Sequence, residues 1–332
     1  MSYSEDYISE FGKQTGFINS NIEKVVRLMD VLNFIHKELD TYFDKLVLKG
    51  GTAINLMYTN LARLSVDIDL DYIGSLEKEQ TLKDKELILE ALDAFMVKEG
   101  YSVSDKSRGS VILASRTYAY TNAFGNRDNI KVEINFIDRI HVGPNVRKLV
   151  KYFDKEVMVQ TCLEEELFAM KICALIDRSK PRDLFDVNKL KKHLPYLDKE
   201  RLRKLTVFYM SLDAIFELSE KTFDKIKGIT QDSVKKELLP VLTKGNKFDL
   251  ATAKEEAIAF LEDLLVLTDD EKQYLEEFSN GNFNPQLLFN IPSDAERAAK
   301  HPMAKWRVNN IGGKKWDLMD FIIIKMKSTQ LF

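Results

Sequence analysis

Apolar residues at Ile18, Ile22, Val25, Met29, Leu32, Ile35 and Leu39 recur at three- and four-residue spacing, the stripe of an amphipathic helix. Asn19 or Ser20 is placed to cap its start. The pattern then shortens: a strand is expected over 46–48, a turn at Gly50-Gly51 and a helix over 52–61. From Val66 to Tyr72 the period becomes two. Val66, Ile68, Leu70 and Tyr72 fall on one face, and Asp67, Asp69 and Asp71 on the other. After Gly74-Ser75 a long helix is expected over 78–98, with Gly100 just past its end. Strand patterns follow at 101–104, 110–120 and 129–137. In the last, Ile130, Val132, Ile134 and Phe136 alternate with Lys131, Glu133 and Asn135.

Beyond about Glu156 strand patterns nearly vanish. Helices are expected over 163–177, 182–193, 199–219, 230–239, 250–267 and 269–279, with Pro181, Pro195, Pro240, Pro285, Pro292 and Pro302 at the breaks. The reading is an α+β domain with a mixed sheet and an N-terminal helix over 1–158, then a helical domain over 159–332. A chain of 332 residues, 45% hydrophobic, has material for a sizeable core. The net charge of −3 points by itself to neither nucleic acid nor membrane. Two cysteines, Cys162 and Cys173, and four histidines occur without a CxxC or HExxH pattern, which argues against zinc and fits a reducing compartment. The start is polar and acidic, and no apolar run reaches the ~20 residues a bilayer requires. A cytoplasmic protein without a membrane partner is expected.

Four stretches carry chemistry. Gly50-Gly51-Thr52 lies between a strand and a helix, where unpaired backbone amides attract phosphate, glycine permits close approach and the Thr52 hydroxyl adds a hydrogen bond. The other reading is a plain tight turn. No Walker A or GxGxxG pattern occurs. Asp67-x-Asp69 sets two carboxylates on one strand face, able to bridge divalent ions, with Arg63 and Ser65 just upstream. Asp71 shares that face but lies further along. Glu133, on the polar side of its strand, is a third acid for the metal or a general base; its alternative is a solvated glutamate paired with Lys131. Finally, Lys171, Arg178 and Arg182 bracket a helix end, and Asp183 and Asp186 open the next helix. There Lys171 grips a triphosphate and Asp183 or Asp186 positions nucleotide or lysine, or else the acids merely cap a helix dipole.

KGGTAINL, RLSVDIDLDY, KVEINF and the spaced K, R and RDLFD residues from Lys171 to Asp186, in that order, resemble the AbiEii/AbiGii toxin family of abortive-infection toxin–antitoxin systems. The tail segment HPMAKW, His301 to Trp306, is similar to that family's C-terminal region. The resemblance implies a DNA polymerase β-like nucleotidyltransferase fold followed by a helical domain. It maps the glycine motif to Gly50 and Gly51, the acid pair to Asp67 and Asp69, the lysine to Lys171 and the last acid to Asp186, with Asp183 beside it. Thr52 replaces the usual serine of the superfold, and the third acid is Glu133 where aspartate is usual.

The expected activity is Mg²⁺- or Mn²⁺-dependent transfer of NMP from an NTP to RNA, at the tRNA 3′ acceptor end, blocking translation in phage defence. Asp67, Asp69 and Glu133 hold the metal. Gly50, Gly51, Thr52, Arg63, Ser65, Arg182 and Asp183 hold the nucleotide, and Lys171 and Asp186 complete the catalytic set. The partner is an antitoxin, a transcriptional repressor encoded next door. Alternatives are a protein-AMPylating or small-molecule nucleotidyltransferase, and a nucleotide- or RNA-binding module without turnover. Two basic stretches fit an RNA partner: Arg178 through Lys204, and Arg297 onward with Trp306 and Trp316. Ordinary solvated helix faces are the alternative for each.

Overall fold

The computed structural model describes residues 2–212 and 222–311. In chain order it runs α1 (Glu5–Thr15), α2 (Asn19–Lys37), α3 (Asp40–Phe43), β1 (Leu46–Lys49), α4 (Gly50–Met57), β2 (Asp67–Tyr72) and α5 (Lys78–Lys98). Strands β3 (Ser102–Val103), β4 (Arg108–Gly109), β5 (Leu113–Thr121), β6 (Arg127–Asn135), β7 (Val146–Tyr152) and β8 (Lys155–Thr161) complete the sheet. Helices follow: α6 (Glu164–Arg178), α7 (Pro181–Leu190), α8 (Lys199–Ser211), α9 (Asp224–Lys227), α10 (Gln231–Ser233), α11 (Leu250–Leu264), α12 (Asp269–Ser279), α13 (Pro292–Lys300) and α14 (Pro302–Ile311).

The sheet is mixed, in the order β3-β5-β6-β2-β1-β8-β7, with β4 on β5. Strand β2 is antiparallel to β1 and parallel to β6, and β1 is parallel to β8. Apolar residues of the central strands, among them Ile68, Leu70, Val132 and Ile134, are buried in one core. Helix α2 packs on β8 and β6 and gives that core Ile22, Val25, Met29, Leu32 and Ile35. Helix α4 packs against α6, which joins the sheet to the helical part, where α6 meets α7 and α8.

The pleat puts alternate residues of β2 and β6 on opposite faces. Register then sets one row across four strands: Lys49 beside Asp69, Asp69 beside Glu133, Glu133 beside Ser115. Asp67 stands beside Lys131 in the next row. The α+β reading with a mixed sheet and helical C-terminal part therefore holds.

Some local expectations change. Helix α2 is capped by Ile18, without a side-chain cap; Asn19 instead donates to the Ser9 hydroxyl. Helix α4 starts at Gly50 and stops at Met57, short of the expected 61, because Asn60 and Leu61 turn the chain at φ of 48° and 52°. Strands β7 and β8 go beyond the expected strands; β8 runs across the 158/159 boundary and extends the sheet to Thr161. Their sequences mix charge with apolar residues, VRKLVKY and KEVMVQT, so the strand period is weak. The helix expected over 230–239 is broken into α10, a π turn over Val234–Leu238 and a 3₁₀ turn over Leu239–Val241, ending around Pro240. Helix α8 is described to Ser211; the rest of the expected 199–219 helix lies largely outside the described residues.

Candidate active site

The residues between β1 and β2 are shaped around Asp69. Gly50 has φ of +67°, open to glycine at little cost, and a Cβ there would lie 2.6 Å from Asp69 Oδ2. The carboxylate thus rests against the start of α4, where backbone amides lack helical partners. Gly51 is equally confined, since a Cβ would run into the Arg63 guanidinium and lie 3.1 Å from Ser65 Oγ. The Thr52 hydroxyl donates to the backbone carbonyl of Asp67 and is buried, so it ties α4 to β2 and does not face a phosphate as expected.

A cleft of about 380 Å³ opens here. Gly51, Ser65, Asp67 and Asp69 form its sheet side, and Lys171, Arg178, Lys180 and Arg182 form its helical side. Lys131, Arg63, Asp183 and Glu237 complete the lining. The expected residues from 51 to 69 and from 171 to 183 therefore meet, although more than a hundred residues separate them. Four cations facing two carboxylates suit a polyphosphate whose charge exceeds that of the acids.

Asp69 bears the strain of this crowding. Burial and then the neighbouring carboxylates of Asp67 and Glu133 push its carboxyl up to about 6, against the pull of Lys49 and Lys171. On the helical side, Lys171 Nζ lies 2.8 Å from Asp183 Oδ1 and 3.4 Å from Asp186 Oδ2. Arg178 Nε lies 2.8 Å from Asp183 Oδ2. Burial works against ionised Asp183, but Lys171 and Arg178 hold its carboxyl well below the usual carboxylate range. Arg182 makes no ion pair with any described residue, and Lys180 only a loose one, 3.6 Å, to Glu237.

Three expected site residues are engaged otherwise. Asp186 lies behind the cleft, gripped at both oxygens by Arg63 at 2.8 and 2.7 Å. Arg63 touches the cleft but spends its fork on that carboxylate. Glu133 sits beside Asp69 in register, yet its carboxylate is 2.8 Å from Lys131 Nζ. Among the described residues no three His, Cys, Asp or Glu side chains are grouped closely enough to hold a metal ion, and the Lys131 contact is the visible reason for Glu133. Asp71 is wholly buried, 2.5 Å from Lys49 Nζ and 3.1 Å from His141 Nε2, which gives it structural work away from the cleft.

Lys131 and Lys180 line the cleft, though neither has a site role in the sequence reading. Lys131 carries a signal, its strand spacing from Glu133; Lys180 has only its place in a basic run. In that run, Arg178 through Lys204, most cations are ion-paired. Arg178, Lys180, Lys191, Lys199, Arg201, Arg203 and Lys204 each pair with an acid. Trp316 and the lysines from 314 onward lie outside the described residues.

Nucleotidyltransferase is the class that this sheet and cleft define. The family model of the nucleotidyl transferase AbiEii toxin of type IV toxin–antitoxin systems matches residues 36–288, and the chain belongs to that family. It is a nucleotidyltransferase toxin of a type IV system, and an NTP substrate and an antitoxin partner come with that membership. The fold is similar to that of MenT4, a nucleotidyltransferase toxin from Mycobacterium tuberculosis H37Rv, with a TM-score of 0.61 at 15% identity over 93% of this chain and 99% of that one. No curated protein sequence matches the chain. Among the described residues no helix is long and apolar enough to cross a membrane.

Proposed function

We propose that the cleft transfers NMP from an NTP to the 3′ acceptor end of tRNA, and so blocks translation in the cytoplasm as an abortive-infection response. The observation that carries the reading is the opposition across one cleft of Asp67 and Asp69 to Lys171, Arg178, Lys180 and Arg182. The triphosphate lies against the four cations and the backbone at Gly51, with Ser65 adding a hydroxyl. The RNA hydroxyl oxygen attacks the α-phosphorus, the bond to pyrophosphate breaks, and the proton leaves to Glu133 or to water. Lys171 is fixed by Asp183 and Asp186, so it meets the leaving pyrophosphate without reorganising.

The hard oxygen donors of Asp67 and Asp69, and the raised carboxyl of Asp69, fit a divalent cation. Asp67 and Asp69 would hold Mg²⁺ or Mn²⁺, with Glu133 joining once Lys131 releases it. When bound, the ion lowers the charge on the phosphates and activates the attacking hydroxyl. The antitoxin is a repressor encoded beside the toxin.

The test incubates purified protein with each labelled NTP and total tRNA. Label on tRNA from the native chain, and none from Asp67→Ala, supports the reading. Label that appears on lysate protein or on a small molecule, and not on RNA, replaces the acceptor. Labelling by Asp67→Ala equal to the native chain sinks the mechanism. In cells the native chain is expected to arrest growth, and Lys171→Ala is not.

A further inference from the structure

A second pocket lies away from the cleft and shares no residue with it. Its volume is about 360 Å³, and Arg139, Lys300, Lys305, Trp306, Asn309 and Asn310 line it. Leu76 closes one side from the segment after β2, and Arg139 comes from the segment after β6. Both segments leave the sheet at the end of β2 remote from Asp67, roughly 17 Å along the strand.

The helix face that forms the other wall is polar. Pro302, Lys305, Trp306, Asn309 and Asn310 recur at the spacing of one side of α14. Lys305 and Asn309 of this face are exposed and Pro302, Trp306 and Asn310 half-buried, as on an outward helix face. This one offers an indole, amides and an ammonium. Lys300 and Lys305 make no ion pair with any described residue, and both are exposed. Arg139 is held by Nη1, which donates to the Leu76 carbonyl and to Thr81 Oγ1, at 2.9 and 3.1 Å. Its Nε is buried without a partner among the described residues. A fixed guanidinium with a donor unspent, two unneutralised ammonium groups and a half-buried indole together match one ligand chemistry. An indole stacks a base, and the cations take its phosphate.

We infer that this pocket binds a nucleotide unit, base on Trp306 and phosphate among Arg139, Lys300 and Lys305. The unit comes from single-stranded RNA or from a free nucleotide. Binding here requires no turnover in the cleft and stands or falls separately from it.

The chain has two tryptophans, so Trp316→Phe leaves Trp306 as the sole indole reporter. Its emission is titrated with AMP, with an unstructured eight-nucleotide RNA and with inorganic triphosphate. Saturable quenching by AMP or by the RNA, absent with triphosphate, supports the site; the tighter of the two names the source. Lys300→Glu with Lys305→Glu is expected to weaken that binding at least tenfold and to lower the salt dependence by about 0.7 for each phosphate no longer neutralised. No quenching by either base-bearing probe overturns the inference, as does equal quenching by triphosphate or indifference to the double charge reversal. A second measurement serves if Trp316→Phe does not fold. Anisotropy of labelled RNA on the otherwise native chain should fall roughly tenfold in affinity for Trp306→Ala and little for Trp306→Phe. Equal affinities for the two variants overturn the site. Asp67→Ala should leave all of these values unchanged, which separates failure here from failure of the catalytic reading.

Discussion

Arg63 and Asp186 stand 123 residues apart and meet as a two-point clamp, Nε to Oδ1 at 2.8 Å and Nη2 to Oδ2 at 2.7 Å, both side chains almost wholly buried. The clamp fastens the segment before β2 to α7, so it holds the acidic wall of the cleft to the basic wall. Removing one member strands a buried charge, which costs about 3–5 kcal/mol. Asp186→Ala should therefore lower the unfolding free energy by an amount in that range, read by urea denaturation. Arg63→Met with Asp186→Leu, which removes both charges, should recover most of the loss. A single variant within about 1 kcal/mol of the native chain would show that the clamp does not carry this joint.

Gly50 has a backbone conformation and a neighbour that both exclude a side chain. At φ +67° an alanine is strained by about 1–2 kcal/mol, and its Cβ would sit 2.6 Å from Asp69 Oδ2. Gly50→Ala should thus lose modest stability and most nucleotidyl transfer, since Asp69 must move. Thermal unfolding and labelled-NTP transfer are measured side by side. Full transfer at reduced stability would show that Asp69 need not stand where it does.

The acid pair, the glycine turn and the Lys171–Asp186 segment were legible because local rules govern them. Alternation placed Asp67 and Asp69 together, and the strand before and helix after it marked the turn at Gly50-Gly51. What Thr52, Arg63 and Asp186 touch was not legible, because it depends on contacts distant in sequence, whereas the Lys131 partner of Glu133 lies two residues away on its own strand. Thr52 turned to a carbonyl, and Asp186 to an arginine on another element. The ion pairs of the basic run from Arg178 were not legible for the same reason. Its partners, such as Glu256, Asp263, Glu271 and Asp294, come from later helices that no short window joins to it. Strands β7 and β8 escaped because their period is blurred by charge.

Two buried histidines set opposite pH limits on stability. Burial lowers His301 to about 4, and neither ring nitrogen has a hydrogen-bond partner among the described residues. Its folded value lies below the ordinary 6.5, so the unfolded chain binds the extra proton and stability falls as pH drops from about 6.5 toward 4, by about 3 kcal/mol in all. Burial also works against charge on His141, but the hydrogen bond to Asp71 and the charges of Glu166 and Asp71 outweigh it and raise it to about 9. Its contribution is complete below about 6.5 and is lost as pH rises through 9. Urea midpoints across pH 4 to 9.5 test both. His301→Leu should flatten the acid limb and His141→Asn the alkaline one; limbs unchanged by these variants would assign the pH dependence to other groups.

Lys131 faces two demands of opposite sign. Its ammonium is 2.8 Å from Glu133 Oε2, it neighbours Asp67 in register, and it lines the cleft. To a divalent cation it is a competitor for carboxylate oxygens; to a triphosphate it is an attractive charge. Lys131→Met keeps the length and removes the charge, so the two affinities should move apart. Mn²⁺ binding, read by loss of the free-ion electron paramagnetic resonance signal, should tighten roughly tenfold, the effect of one unit charge a few ångströms away at partial screening. The KM for NTP should rise by a similar factor. Opposed shifts place Lys131 between metal and phosphate as a charge that Glu133 must exchange for the ion. Mn²⁺ affinity that stays constant or falls would leave Glu133 outside the metal site, and the third acid would then serve only as a base or as Lys131's partner.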